Sequence, residues 1–68
     1  MSVYKKSEIV GTSSVGVEDA IQQAVGRASQ SLRNLSWFEV KEIRGTIREG
    51  KVGEFQVTLA LGFKLEDQ

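Results

Sequence analysis

Residues 55–63 constrain the fold more than any other stretch. Phe55, Val57, Leu59, Leu61 and Phe63 alternate with Gln56, Thr58, Ala60 and Gly62. A sustained period of two marks a strand with one buried face. Earlier in the chain the period changes. Val17, Ala20, Ile21, Ala24, Val25, Ala28, Leu32 and Leu35 recur at steps of three and four, which is the apolar stripe of a helix. Gln22, Gln23, Arg27, Gln30 and Arg33 fall off that stripe. The chain must therefore lay one helix against one sheet, and the three alanines predict a close approach. Ser13 or Ser14 is placed to cap the helix start. Glu18 and Asp19 suit the positive end of its dipole. Asn34 suits a left-handed stop.

Val3 to Val10 reads as a first strand, ended by Gly11-Thr12-Ser13-Ser14. After the helix, one strand is expected from about Trp37 to Ile47 and another from about Glu54 to Lys64, joined by a turn holding Gly50 and Gly53. The strand before the turn conflicts with itself. Phe38 and Val40 belong in the core at even positions, Ile43 and Ile47 at odd ones. One extra residue near Lys41 and Glu42, a β-bulge, reconciles them. The order is β-α-β-β. This is an α+β fold, a three-stranded antiparallel sheet packed on one helix, with the helix stripe expected to cover the sheet's inward face. No linker, repeat or proline interrupts the chain, so residues 1–68 read as one domain.

Composition narrows the options. A chain of 68 residues buries only about 60% of its unfolded surface and is marginal alone. It has no Cys and no His, which removes disulfides, thiolate metal sites and the commonest general base. Association is the remaining support. Nine basic and nine acidic residues balance, which argues against a dedicated nucleic-acid binder and favours self-association. No apolar run approaches the roughly 20 residues of a membrane span. Met1 to Lys6 leads into no signal-peptide core, so a cytoplasmic location is expected.

With the bulge in place, Trp37, Glu39, Arg44 and Thr46 share the outward face with Gln56, Thr58 and Lys64. Trp stacks on flat π systems, Arg pairs with anions, and Gln offers both a donor and an acceptor. Two occupants suit this set on pattern alone. One is a planar ligand with an amide-like edge and a phosphate or carboxylate. The other is a second subunit that Trp37 plugs, with Arg44 in a surface ion pair. A hairpin closing near Gly50 sets Gln56 opposite Thr46 and Trp37 near Lys64, on the order of 25 Å apart. A shared ligand would then have to bridge subunits. Glu39 and Glu42 read as solvated charges more readily than as an acid–base pair. Gly45, Gly50 and Gly53 fit no phosphate-binding loop. No nucleophile with a partnered base is visible.

The blocks Glu8-Ile9-Val10-Gly11-Thr12-Ser13, Ala20-Ile21, Leu35 to Gly45 (LSWFEVKEIRG), Phe55-Gln56-Val57-Thr58 and Gly62-Phe63-Lys64-Leu65-Glu66 resemble bacterial dodecins over essentially the whole chain. The resemblance implies a hollow homododecamer with flavins held in antiparallel pairs at twofold interfaces between tryptophans. Trp37 matches the stacking tryptophan, Gln56 the glutamine on the isoalloxazine edge, and Arg44 a flavin-contacting arginine. Lys5 matches a basic residue near the flavin phosphate. FMN is the expected ligand, with riboflavin or FAD as alternatives. Coenzyme A is implied as a further ligand near the threefold axes, at positions corresponding to Arg27, Ser31, Leu32, Arg33, Lys64 and Glu66. Tyr4 borders that region, and Lys64 stands where the family more usually has arginine.

The implied role is flavin storage, buffering and photoprotection, with no catalytic residue and no metal. A coenzyme A carrier shell is the alternative. A flavin-dependent oxidoreductase is a further one, without a general acid or nucleotide motif to support it.

Overall fold

The structure, a computed structural model, describes residues 1–66. Its elements are β1 (Tyr4–Ser13), α1 (Val17–Ala28), β2 (Leu35–Arg48) and β3 (Lys51–Lys64). Both pairings are antiparallel and the strand order is β1-β3-β2. The strand with the cleanest alternation thus sits in the middle, where its inward face meets the helix. Val57, Leu59 and Leu61 are buried and pack with Ala20, Ala24 and Ala28 of α1. Ile9, Val17, Ile21 and Val25 close around them.

Gly11 does not end β1. It pairs with Val57, and the strand continues to Ser13 opposite Phe55. A Cβ at Gly11 would stand 2.2 Å from the Ala20 carbonyl oxygen and 2.8 Å from Ala24 Cβ. The glycine is therefore where α1 rests on the sheet, and the alanine stripe is the matching surface. Ser13 is not the helix cap either. Gly16 occupies that position without a side-chain cap. The Ser13 hydroxyl donates to Asp19 Oδ2 (2.6 Å) and accepts from the amides of Val15 (2.9 Å) and Gly16 (3.3 Å), which ties the strand end to the first helical turn.

The apolar stripe outlasts the helix. α1 ends at Ala28, but turn hydrogen bonds continue the path, with the Ser31 and Leu32 amides donating to the Ala28 carbonyl at 3.1 and 2.9 Å. Leu32 and Leu35 consequently still reach the core. Asn34 is left-handed as expected (φ 63°), six residues beyond the helix end. Its Nδ2 donates to the Lys64 carbonyl (3.3 Å) and its own carbonyl accepts from the Lys64 amide (3.2 Å), so it docks the connection on β3.

The bulge falls where the parity conflict placed it. Val40 faces Leu59 and Glu42 faces Thr58, with Lys41 extra. Two further shifts lie between Leu35 and Trp37 and between Thr46 and Ile47. The turn is tighter than expected. Glu49 and Gly50 both have positive φ (53° and 75°), the pair of angles a two-residue hairpin turn requires, so β3 starts at Lys51.

The expectation that the helix covers the whole inward face fails on dimensions. A 12-residue helix is about 18 Å long, whereas a 14-residue strand spans about 46 Å. α1 packs on β1 and β3. On β2, the inward residues Phe38, Val40 and Ile43 stay 49%, 41% and 57% exposed. An apolar groove lined by Val25, Phe38 and Leu61 separates α1 from β2.

Candidate functional site: a tryptophan platform on the open face of the sheet

The register decides what stands beside Trp37. The extra residue Ser36 lets Leu35 face Phe63 on the core side while Trp37 faces Gly62 on the other. A Cβ built on Gly62 would lie 2.1, 2.3 and 2.5 Å from Trp37 Cε2, Cζ2 and Cδ2. Three such distances to adjacent ring atoms mean that the benzo ring lies across the glycine, face down. Tyr4, the first residue of β1, flanks it with ring centroids 5.0 Å apart and planes tilted by 50°. The indole nevertheless remains 42% exposed. One face is occupied by backbone and the other is available to a flat ligand.

Next along the same face, Lys6 of β1 forms an ion pair with Glu39 of β2. The two strands are not neighbours. They stand two spacings apart, about 9.6 Å. The pair closes because β3 presents only Gly62 and Ala60 between them: Lys6 is opposite Gly62, and Glu39 opposite Ala60. That cover accounts for Ala60 being 2% exposed on the face opposite α1. The hydrogen bond and charge of Lys6 hold the Glu39 carboxyl below the ordinary carboxylate range. Glu42 lies past the bulge, opposite Thr58.

Arg44 and Gln56 form the other end. They are directly opposite one another, so Gln56 does not face Thr46 as the sequence suggested, and Trp37 faces Gly62 rather than Lys64. The tight turn and the irregularity between Thr46 and Ile47 account for the slip. Arg44 Nε donates to Gln56 Oε1 (3.0 Å), and Gln56 Nε2 donates to Glu54 Oε1 (3.1 Å), which fixes the amide orientation. From Gln56 to Gly62 is six residues of β3, about 20 Å rather than about 25 Å. Trp37 and the Arg44–Gln56 pair share a face but not a common point.

Lys5 pairs with Phe63 on the helix side of the sheet, so within one chain it stands on the face opposite Trp37. Arg27, Ser31 and Leu32 line one cavity at the end of α1. Ser31, Leu32, Arg33, Lys64 and Glu66 line an adjoining one of about 260 Å³, where Arg33 Nη1 stands 3.6 Å from Glu66 Oε1. The six positions thus gather around the helix end, with Ser31 and Leu32 common to both cavities.

Sequence reasoning missed Gly62 as the floor under Trp37 and the Lys6–Glu39 pair. A glycine inside a well-formed strand was the available signal, since it marks close approach of another group.

The Dodecin family model matches residues 3–66. A dodecin of Thermus thermophilus is 63% identical over 65 residues, which is 96% of this chain and 94% of that protein. Among solved structures, a Thermus thermophilus protein superposes with a TM-score of 0.95 at 60% identity, covering 100% of both chains. The dodecin of Streptomyces coelicolor gives 0.93 at 52%, over 98% of this chain and 96% of that one. A calcium dodecin of Mycobacterium tuberculosis, described as a calcium-chelating antigen with a calcium-binding site, gives 0.82 at 30%, over 98% and 96%. On this fold, register and near-complete match, the chain belongs to the dodecin family.

Proposed function

We propose that this protein is a non-catalytic, cytoplasmic flavin store that assembles as a homododecamer and stacks each isoalloxazine on the free face of Trp37. The observation that carries the reading is the indole held face down on Gly62, which leaves one flat, half-exposed π surface on an otherwise polar strand face. Arg44 and Gln56 suit the polar edge of the ring, and a cationic side chain, Arg44 or Lys5, accounts for a preference for FMN over riboflavin or FAD. Because Arg44 and Gln56 lie about 20 Å from Trp37 along the chain, the ones that reach a given flavin belong to a neighbouring subunit. The same assembly would bury Phe38, Val40 and Ile43, whose exposure is what an uncovered interface looks like.

The photoprotective step follows from the stack. An excited isoalloxazine in van der Waals contact with indole takes an electron from it and returns it, so excitation decays before a radical escapes. Bound flavin is thereby kept dark and chemically idle. Titration with riboflavin monophosphate tests this: flavin fluorescence is expected to fall on binding, and protein that leaves it undiminished would refute the reading.

The gathering of Arg27, Ser31, Leu32, Arg33, Lys64 and Glu66 at the helix end supports a second ligand, coenzyme A, whose phosphates the cations would meet. Coenzyme A released on denaturing the purified protein, and lost from Arg27→Ala, is the corresponding test.

A further inference from the structure

We propose that Gly62 and Tyr4 are positioning residues that fix the orientation of the Trp37 indole before any ligand arrives. The proposal rests on the flavin-stacking reading for its purpose but not for its geometry. Gly62 is the floor. Its missing side chain is what lets the benzo ring settle onto the central strand, since a Cβ would stand 2.1 Å from Cε2, far inside van der Waals contact. Tyr4 is the wall. Its ring stands 5.0 Å from the indole at a 50° tilt, within the contact range of aromatic pairs, and it comes from the opposite edge strand.

The sheet topology makes this seat possible. Tyr4 is opposite Lys64 and Trp37 opposite Gly62, so the two rings approach from both sides of β3 across its last outward positions. A tryptophan on a bare strand would sample several rotamers and would lose that freedom on binding. Here the backbone blocks one indole face and Tyr4 limits swing along the strand. The remaining face is presented in a single orientation, which raises affinity by lowering the ordering cost. It also sets the angle at which a planar ring must stack.

The test has a ligand-free arm and a ligand arm, on the assembled protein. The single tryptophan makes fluorescence anisotropy and circular dichroism at the red edge of the indole band, where tyrosine and phenylalanine do not absorb, reports on Trp37 alone. Gly62→Ala and Tyr4→Ala are expected to increase local indole motion and to diminish the dichroism at the red edge of the indole band, with the assembly retained. Tyr4→Ala is expected to weaken riboflavin monophosphate binding by about three- to tenfold, the loss of one aromatic contact, and Gly62→Ala to weaken it by displacing the ring. Tyr4→Phe should recover what Tyr4→Ala loses, because the contact is between rings. Wild-type anisotropy and dichroism in both Gly62→Ala and Tyr4→Ala would overturn the proposal. If wild-type protein takes up no flavin, the stacking function fails, while the ligand-free arm still decides whether the seat exists.

Discussion

The separation of Trp37 from Arg44 and Gln56 leads to a complementation experiment. The perturbations are two variants, Trp37→Ala and Arg44→Ala/Gln56→Ala. The first removes a stacking face, worth about 1–3 kcal/mol by analogy with base–aromatic stacking. The second removes a pair of polar contacts, one of them charged, of comparable size. Each alone should weaken flavin binding by about five- to 150-fold. The two variants are then coexpressed in equal amounts so that subunits mix at random. If a flavin meets Trp37 of one subunit and the polar pair of its neighbour, both must be intact. Each has about an even chance, so about one quarter of the half-sites recover full affinity. If all three residues served one flavin within a chain, no mixed assembly could contain an intact site, since neither variant carries all three. Fluorescence titration at a flavin concentration between the wild-type and variant dissociation constants counts the tight sites. A count near zero would refute the shared site, and with it the inference from the roughly 20 Å separation.

Three other perturbations address the fold and the assembly. Gly11→Ala places a methyl 2.2 Å from the Ala20 carbonyl oxygen, a backbone atom that can move only if α1 lifts. A loss of about 1–3 kcal/mol is expected, seen as a clear drop in melting temperature. Phe38→Asp puts a charge on the uncovered half of the inward face and should shift the protein to smaller species by size exclusion. Lys6→Gln removes the partner that depresses the Glu39 pKa. A depressed carboxyl stabilises the fold above its ordinary pKa and ceases to do so as pH falls through the lowered value. Wild type and Lys6→Gln should therefore differ at neutral pH and converge under acid, as followed by denaturant unfolding across pH.

Much of this molecule is legible in its residues, and the exceptions have common causes. The core strand is readable because burial on one face enforces a strict period. The bulge at Lys41 is readable because Val40 and Ile43 demand the same side with incompatible parity. The bulge at Ser36 leaves no such conflict. Leu35 already belongs to the helical stripe, so nothing in the pattern marks the change of direction. The end of α1 is hidden for a related reason, since Leu32 and Leu35 keep the helical period while the backbone has left the helix. Gly11 reads as a breaker because local propensity cannot see Ala20 and Ala24 above it.

The site shows the same division. The outward set Trp37, Arg44 and Gln56 follows from the alternation. The neighbours that shape it, Gly62, Tyr4 and Lys6, depend on which strand lies in the middle. That order is a tertiary fact, and the ion pair across β3 exists only because Gly62 and Ala60 lie between its partners.

The central claim is that Trp37 holds the flavin. The most direct measurement is a fluorescence titration of riboflavin monophosphate with wild type and Trp37→Ala in parallel, after size exclusion has shown the same assembly for both. The account predicts tight binding with strong quenching for wild type. For Trp37→Ala it predicts weaker binding by at least about fivefold and bound flavin that regains its emission. Unchanged affinity and unchanged quenching in Trp37→Ala would contradict it.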